Sequence, residues 1–259
     1  MKKLPYIGIT GFRTYKEVAE MLQVFMRHRR LHSERLLHVG VMTHYHRVNE
    51  TSGESASSFI ANDRIASVFC SPEVQVYNCL HYADMAHRKT LAADLRKAVA
   101  LGGYNLDAIQ LDLRWPRPER IAEALRDDTR RIEVILQIDK YILNEAGQSP
   151  ANLVEKLKPY QGVIHRVLLD ESMGQGEPMN PDRLLPYLRA LSQSLPDLGL
   201  GVAGGLGPHG LEILKPILAE FPDISIDAEG KLSTRGHQGD PLDLAHTEKY
   251  LIHALRLVK

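Results

Sequence analysis

Residues able to move protons recur at the ends of short apolar runs. Thr10 and Arg13, then Thr43, His44 and His46, then Asn78 and His81, follow the first three runs. Asp112 and Arg114, Asp139 and Lys140, Asp170 and Glu171, and finally Asp227, Glu229 and Lys231 follow later ones. Four aspartates in such places exceed what a solvated rim requires. A carboxyl at an apolar mouth has its pKa raised by desolvation and can act as a general acid, while a neighbouring carboxylate accepts a proton. Asp170 is the candidate acid, because it closes Val167-Leu168-Leu169 and opens the glycine-bearing segment Glu171-Ser172-Met173-Gly174-Gln175-Gly176. The competing reading is that it caps that loop. Asp112 with Arg114, and Asp139 with Lys140, are either rim ion pairs or groups that face a substrate. Neighbours on a strand face opposite ways, so only one of Asp139 and Lys140 points inward, and Asp139 is preferred. An inward Lys140 would instead allow a Schiff base, and His44 with His81 a metal pair that lacks a clear third ligand.

The second chemical signal is Val202-Ala203-Gly204-Gly205-Leu206-Gly207-Pro208-His209-Gly210. Paired glycines after a strand let backbone N–H groups approach an anion, and a helix opening at Pro208 would add its positive end. Gly230 and Lys231 in the next unit add a further glycine and a cation. Gly204, Gly205, Gly207 and Gly230 are therefore the candidate anion-binding residues. Tight turns alone are the alternative reason for them.

These residues need elements to hold them. Strands are predicted at 6–10, 38–43, 74–78, 108–113, 133–138, 163–169, 198–203 and 224–228, from apolar runs bounded by turn residues. Helices are predicted at 15–30, 84–101, 118–126, 151–158, 181–194, 208–220 and 241–258, from apolar spacing of three and four. Eight strand-then-helix units in 259 residues match a closed (β/α)8 TIM barrel of one α/β domain, whose active site lies at the C-terminal ends of the strands. An open doubly wound sheet would carry Gly-x-Gly-x-x-Gly after its first strand, and Gly8-Ile9-Thr10-Gly11 lacks that spacing. The polar stretch 47–58 is expected to be a loop at the mouth.

Composition narrows the classes of function. Lys and Arg total 32 against 32 Asp and Glu, so no net field favours nucleic acid or an anionic membrane. No apolar run approaches the span of a bilayer and no signal-peptide core is evident, so a cytoplasmic protein is expected. Cys70 and Cys79 are too few for a disulfide framework or a thiolate zinc site. No cofactor is implied, no metal is assigned, and the expected partner is a small anionic metabolite.

In combination the segments resemble phosphoribosylanthranilate isomerase, a (β/α)8 barrel of tryptophan biosynthesis. Tyr6-Ile7-Gly8-Ile9-Thr10 is similar to that family's first strand, and Ala108-Ile109-Gln110-Leu111-Asp112 to its Val-Gln-Leu-His strand. Leu168-Leu169-Asp170, Val202-Ala203-Gly204-Gly205-Leu206 and Ile226-Asp227-Ala228-Glu229-Gly230 are similar to its later strand ends and phosphate loops. The resemblance implies an Amadori-type rearrangement with Asp170 as the acid. The family's basic cysteine falls on Ile7, which cannot move a proton, so Asp112 or Asp139 would have to be the base. Asp112 stands where the family has histidine, and Glu229 where it has a serine. The resemblance therefore implies a diverged isomerase-type enzyme. The alternatives are an aldolase-like lyase using Lys140, a metal-dependent barrel enzyme, or a non-catalytic ligand-binding barrel.

Overall fold

The computed structural model describes residues 3–30, 33–51, 59–71, 75–86, 88–172, 177–236 and 239–258. Eight parallel strands close in sequence order: β1 (Tyr6–Thr10), β2 (Leu36–His44), β3 (Val76–Asp84), β4 (Ala108–Leu113), β5 (Glu133–Asp139), β6 (Arg166–Asp170), β7 (Gly199–Ala203) and β8 (Ser225–Ala228). Closure is made by β8 against β1, with Ile7 opposite Ile226 and Gly8 opposite Asp227. The (β/α)8 barrel expected from the eight-unit count is thus present.

Around it lie α1 (Tyr15–His28), α2 (Tyr45–Val48), α3 (Leu91–Leu101), α4 (Pro118–Leu125), α5 (Lys140–Glu145), α6 (Pro150–Leu157), α7 (Pro181–Ser194), α8 (Lys215–Glu220) and α9 (Leu244–Leu257). Local chemistry sets their starts. Thr14 and Glu17 form a capping box on α1, Ser149 and Asp243 cap α6 and α9, and α4, α6 and α7 open on proline.

The period of two splits each strand between two environments. Outward residues such as Ile7, Ile9, Leu80, Tyr82, Leu111 and Val202 join the helices in one apolar layer. Inward, a small second cluster of Tyr6, Tyr77, Cys79, Ala108, Ile135, Leu168 and Ala203 fills the barrel. Above this cluster, toward the C-terminal ends of the strands, the inward positions turn polar.

Three expectations shift. The third strand is not 74–78: β3 begins at Val76 and continues to Asp84, and Val74 lies outside the described residues. The polar pair Asn78 and His81 obscures this strand in the sequence. Asn78 faces the outer side, where its amide donates to Cys70 O (2.9 Å) and Asn105 O (2.7 Å), and His81 faces the polar interior. Because β3 runs on to Asp84, α3 starts at Leu91 rather than at 84. In the loop expected over 47–58, α2 closes at Val48, and residues 52–58 lie outside those described.

At the N-terminal end the barrel is plugged by a charge network. Arg166 Nε donates to Glu133 Oε2 (2.9 Å), Tyr77 Oη donates to the same oxygen (2.7 Å), and Lys3 Nζ pairs with Oε1. The Arg166 guanidinium also lies 4.9 Å from the Tyr77 ring centre. Burial alone would raise the Glu133 carboxyl, but the Arg166 charge and these donated bonds outweigh it and hold the group down to about 2.

A depressed acid stabilises the fold above its unfolded pKa and loses that contribution as pH falls toward the folded value. Stability should therefore decline as pH drops from the ordinary glutamate value of 4.5 toward about 2. Denaturant titration at several pH values would show this slope, and it should flatten in Glu133→Gln. Arg166→Met leaves Glu133 without its main partner and should cost about 3–5 kcal/mol near neutral pH.

Candidate active site

The inward residues nearest the C-terminal ends are Thr10, His81, Gln110, Asp112, Gln137, Asp139, Asp170 and Asp227, with Glu229 one residue beyond β8. Register explains the grouping. Asp139 pairs with Asp170 across β5 and β6, Ala203 with Asp227 across β7 and β8, and His81 with Gln110 across β3 and β4. In parallel strands paired residues share a face, so these side chains converge on one space.

Asp170 sits as expected, buried at the end of β6. Its Oδ1 accepts from Ser172 N (2.9 Å) and Ser172 Oγ (2.8 Å), and Gln137 Nε2 donates to its Oδ2 (3.2 Å). The loop-cap reading is therefore realised, and it fixes the carboxyl at the mouth at the same time. Gln110 Nε2 donates to Gln137 Oε1 (2.8 Å), which extends the chain of bonds from β4 through β5 to Asp170.

Asp112 is partly exposed, with Oδ2 3.9 Å from His81 Nε2. Asp139 points inward as preferred, and its Oδ1 accepts from Ile142 N (2.7 Å), so it also caps α5. Its pKa is raised chiefly by burial, against bonds from the backbone of α5. Lys140 is the first residue of α5 and stands half-exposed on the rim, 5.8 Å from the Tyr141 ring centre, which is not the dry setting a Schiff-base amine needs. His44 lies two register steps above His81 and packs edge-on against Phe59 at 5.0 Å. Among the described residues no group of three His, Cys, Asp or Glu is placed to hold a metal ion.

Asp227 and Glu229, noted in the sequence but not assigned a role, are carboxyls with strongly raised pKa values. Burial raises the Asp227 carboxyl to about 7 despite the bond donated by Thr10, with the Asp170 charge adding to the rise. Burial and the neighbouring Asp227, Asp170 and Asp112 push Glu229 up to about 8, against the opposing pull of His81. Much of the Glu229 side chain is only partly covered, yet its Oε1 is buried with no hydrogen-bond partner. For His81, burial disfavours the imidazolium, but Asp112, Glu229 and Asp227 together outweigh it and raise the pKa. His38, in register with Tyr77 and stacked on Tyr6 at 4.7 Å, is pushed down to about 3 by burial and by the Arg166 and His81 charges.

Ile7, the position that the resemblance gave to the base, faces the helices. The inward residue there is Gly8, whose absent side chain makes room for a carboxyl: a Cβ at Gly8 would lie 2.3 Å from Asp227 Oδ1. Gly40 plays the same part for Thr10, at 2.3 Å from its Oγ1. Cys79 lies inside the barrel among apolar neighbours, and burial pushes its thiol well up. Gln110, Gln137, Gly8 and His38 were not singled out as site residues in the sequence. Strict alternation back from Asp112 and from Asp139 is the signal that marks Gln110 and Gln137.

The glycine turn after β7 is left-handed at Gly204 (φ +124°) and Gly205 (φ +65°). A Cβ on Gly205 would stand 2.6 Å from Pro178 Cα, and Met179 N donates to Gly204 O (3.2 Å), so close chain approach by itself demands glycine at Gly205. Gly207 is similarly crowded by Lys231, at 2.8 Å from its Cβ. The helix expected from Pro208 does not begin there. Residues 208–210 form a turn, followed by a 3-10 stretch at Leu211–Leu214 and then the six-residue α8. Three prolines and glycines in 207–210 interrupt the helical period, so the helix dipole expected beside Gly204 is absent. One small cavity is lined by His81, Gln110, Asp170, Gly204, Glu229 and Lys231, among others, with about 20 Å³ of free space, enough for one water.

Holding acids protonated above their ordinary pKa costs stability. The native state retains a proton that the unfolded chain releases, so stability falls as pH rises from 4.5 toward about 8. Glu229→Gln should therefore flatten this decline and leave the variant more stable than the parent at pH 8 and above, read by thermal melts across that range.

No family model and no curated protein matches the sequence. Solved structures do. A phosphoribosyl anthranilate isomerase in complex with reduced 1-(o-carboxyphenylamino)-1-deoxyribulose 5-phosphate aligns with TM-score 0.55 and 15% identity, covering 98% of this chain and 100% of that one. A phosphonopyruvate hydrolase in complex with oxalate and Mg²⁺ aligns at 0.52 and 13% identity, covering 98% and 80%. A rubisco-like protein from Alicyclobacillus acidocaldarius subsp. acidocaldarius DSM 446 aligns at 0.53 and 14% identity, covering 98% and 62%. At these identities the likeness is one of fold: the chain is a (β/α)8 barrel of the kind that phosphoribosyl anthranilate isomerase also adopts.

Proposed function

We propose that this barrel is an acid/base enzyme of the isomerase type, acting on a small sugar-like substrate that carries an anionic group. The observation that carries the reading is the mouth itself. Asp112, Asp170, Asp227 and Glu229 surround His81, and buried atoms of His81, Gln110 and Glu229 have no hydrogen-bond partner among the described residues. Buried polar groups are nearly always satisfied, so several unsatisfied ones around one cavity suit a polyhydroxylated ligand. Enzymes among the structurally similar proteins support the general class.

In this reading Asp170, held by Ser172 and Gln137, gives a proton to the substrate oxygen. Asp112, its Oδ2 3.9 Å from His81 Nε2, takes the proton from the adjacent carbon. The C–H electron pair becomes the C=C bond of an enediol as the carbonyl oxygen takes the proton from Asp170; in the collapse the second hydroxyl returns a proton to Asp170 and Asp112 delivers its proton to the former carbonyl carbon. Hydrogen moves within the substrate, so no external oxidant is needed. Asp139 shapes the site through α5 rather than carrying the proton. The anionic end would rest against Gly204, Gly205, Gly207 and Gly230 beside Lys231. Entry has to move side chains, and Glu229, with an unpartnered Oε1, is one that can move. Protonation of Asp227 and Glu229 removes the repulsion that an acidic mouth would otherwise present.

Wash-out of substrate C–H protons in D2O, followed by ¹H NMR over a panel of phosphorylated aldoses and aldosylamines, tests this directly. Exchange with at least one compound is expected, and no exchange with any would contradict the reading. Asp170→Asn should lower that rate about a hundredfold to ten-thousandfold with the melting temperature nearly unchanged. The rate should also fall as pH rises through about 7 to 8, where Asp227 and Glu229 ionise.

A further inference from the structure

A much larger cleft lies outside the mouth, between the loops that follow β3 and β4. Its volume is about 460 Å³, within the range of small-ligand pockets. Its lining is amphipathic. Leu91, Leu113, Trp115 and Pro116 supply apolar surface, while among the described residues five cations, Arg88, Lys89, Arg114, Arg117 and Arg120, face one lining carboxylate, Asp84.

Some of these cations are already engaged. Arg88 Nε donates to Asp84 (2.8 Å) and its guanidinium stacks 3.4 Å from the Tyr45 ring centre. Arg114 pairs with Glu145 (2.7 Å) and Arg120 with Glu123 (2.7 Å), both carboxylates outside the lining. Lys89 and Arg117 stand exposed with no ion-pair partner among the described residues. The excess of positive charge is thus concentrated where a ligand would enter.

Two features point to a ligand rather than a solvated groove. Arg114 Nε and Trp115 Nε1 are buried donors without acceptors, and both belong to lining residues. Trp115 also adopts φ +43°, a left-handed conformation that is costly for a bulky side chain. The turn at 114–116 is pinned by Tyr160 Oη donating to Pro116 O (2.6 Å), and Lys156 lies 4.9 Å from the indole centre. The indole thus lines the cleft while still packing against the helix layer, its ring centre 6.4 Å from that of Tyr160.

We propose that this cleft is a binding site for a flat aromatic anion, such as an aryl phosphate or aryl carboxylate. The ring would lie on Trp115, Leu113 and Pro116, and the acid group would meet Lys89 and Arg117 at the entrance and the guanidinium of Arg114. The site stands apart from the proton-transfer residues. Asp84 lies three residues beyond His81, and Arg114 two beyond Asp112, so ligand at the cleft contacts the loops rather than the catalytic carboxyls.

Trp115 is the sole tryptophan, which makes it a built-in reporter. Its emission should change saturably on titration with phenyl phosphate, and much less with inorganic phosphate or with phenol. The exposed substitutions Lys89→Glu and Arg117→Glu, checked for unchanged circular dichroism, should weaken phenyl phosphate binding about tenfold or more by charge reversal. Calorimetry on Trp115→Phe separates loss of the reporter from loss of binding. No saturable change, binding indifferent to both charge reversals, or inorganic phosphate binding as tightly as phenyl phosphate would each overturn the assignment. Tighter binding of a poly-glutamate peptide than of phenyl phosphate would also overturn it, marking the face as a protein-docking surface.

Discussion

Closure of the parallel sheet is the constraint on which everything else rests. With β8 hydrogen-bonded to β1 there is no free edge, and every second side chain of all eight strands is forced into one narrow space. Small residues must then be placed wherever a larger one projects. Gly8 and Gly40 are the clearest instances, since they yield their side-chain volume to Asp227 and Thr10. The acidic mouth is therefore built as much by the absence of two Cβ atoms on β1 and β2 as by the carboxylates on β6 and β8.

The two ends of the barrel handle buried charge in opposite ways. At the N-terminal end Glu133 is surrounded by donors from Lys3, Tyr77 and Arg166 and stays ionised far below its ordinary pKa. At the C-terminal end, several acids share a region whose cationic groups are His81 and the rim lysines, and burial wins. The first arrangement stabilises the fold near neutral pH. The second destabilises it there, which is the pattern expected where a site is poised for proton transfer rather than for stability. The same contrast explains why the small inner apolar cluster sits between them, separating the paired charges from the titrating ones.

Much of this was legible in the sequence. The eight-unit count gave the barrel, Asp170 was placed at its strand end, and the inward preference for Asp139 over Lys140 followed from alternation alone. Other features needed three dimensions. β3 runs later than the apolar residues 74–78 suggest because its polar residues serve two faces, Asn78 holding the outer loop and His81 entering the site. Gly8 and Asp227 act together only because strand closure brings residues 219 apart into register. The glycines after β7 drew attention as an anion cradle, and Gly205 proves to be required by Pro178 whatever it binds. Trp115, an unremarked residue before Pro116, acquires meaning only when the loops after β3 and β4 are seen to enclose a cleft.

The central claim is that carboxyls at the mouth keep their protons to near neutral pH because closure buries them together. Carbon-detected NMR of side-chain carboxyl resonances, followed against pH, measures this most directly. Two carboxyls should titrate with midpoints near 7 and near 8, and these should vanish singly in Asp227→Asn and Glu229→Gln. Titration of both below about 5, as for solvent-exposed carboxylates, would contradict the account.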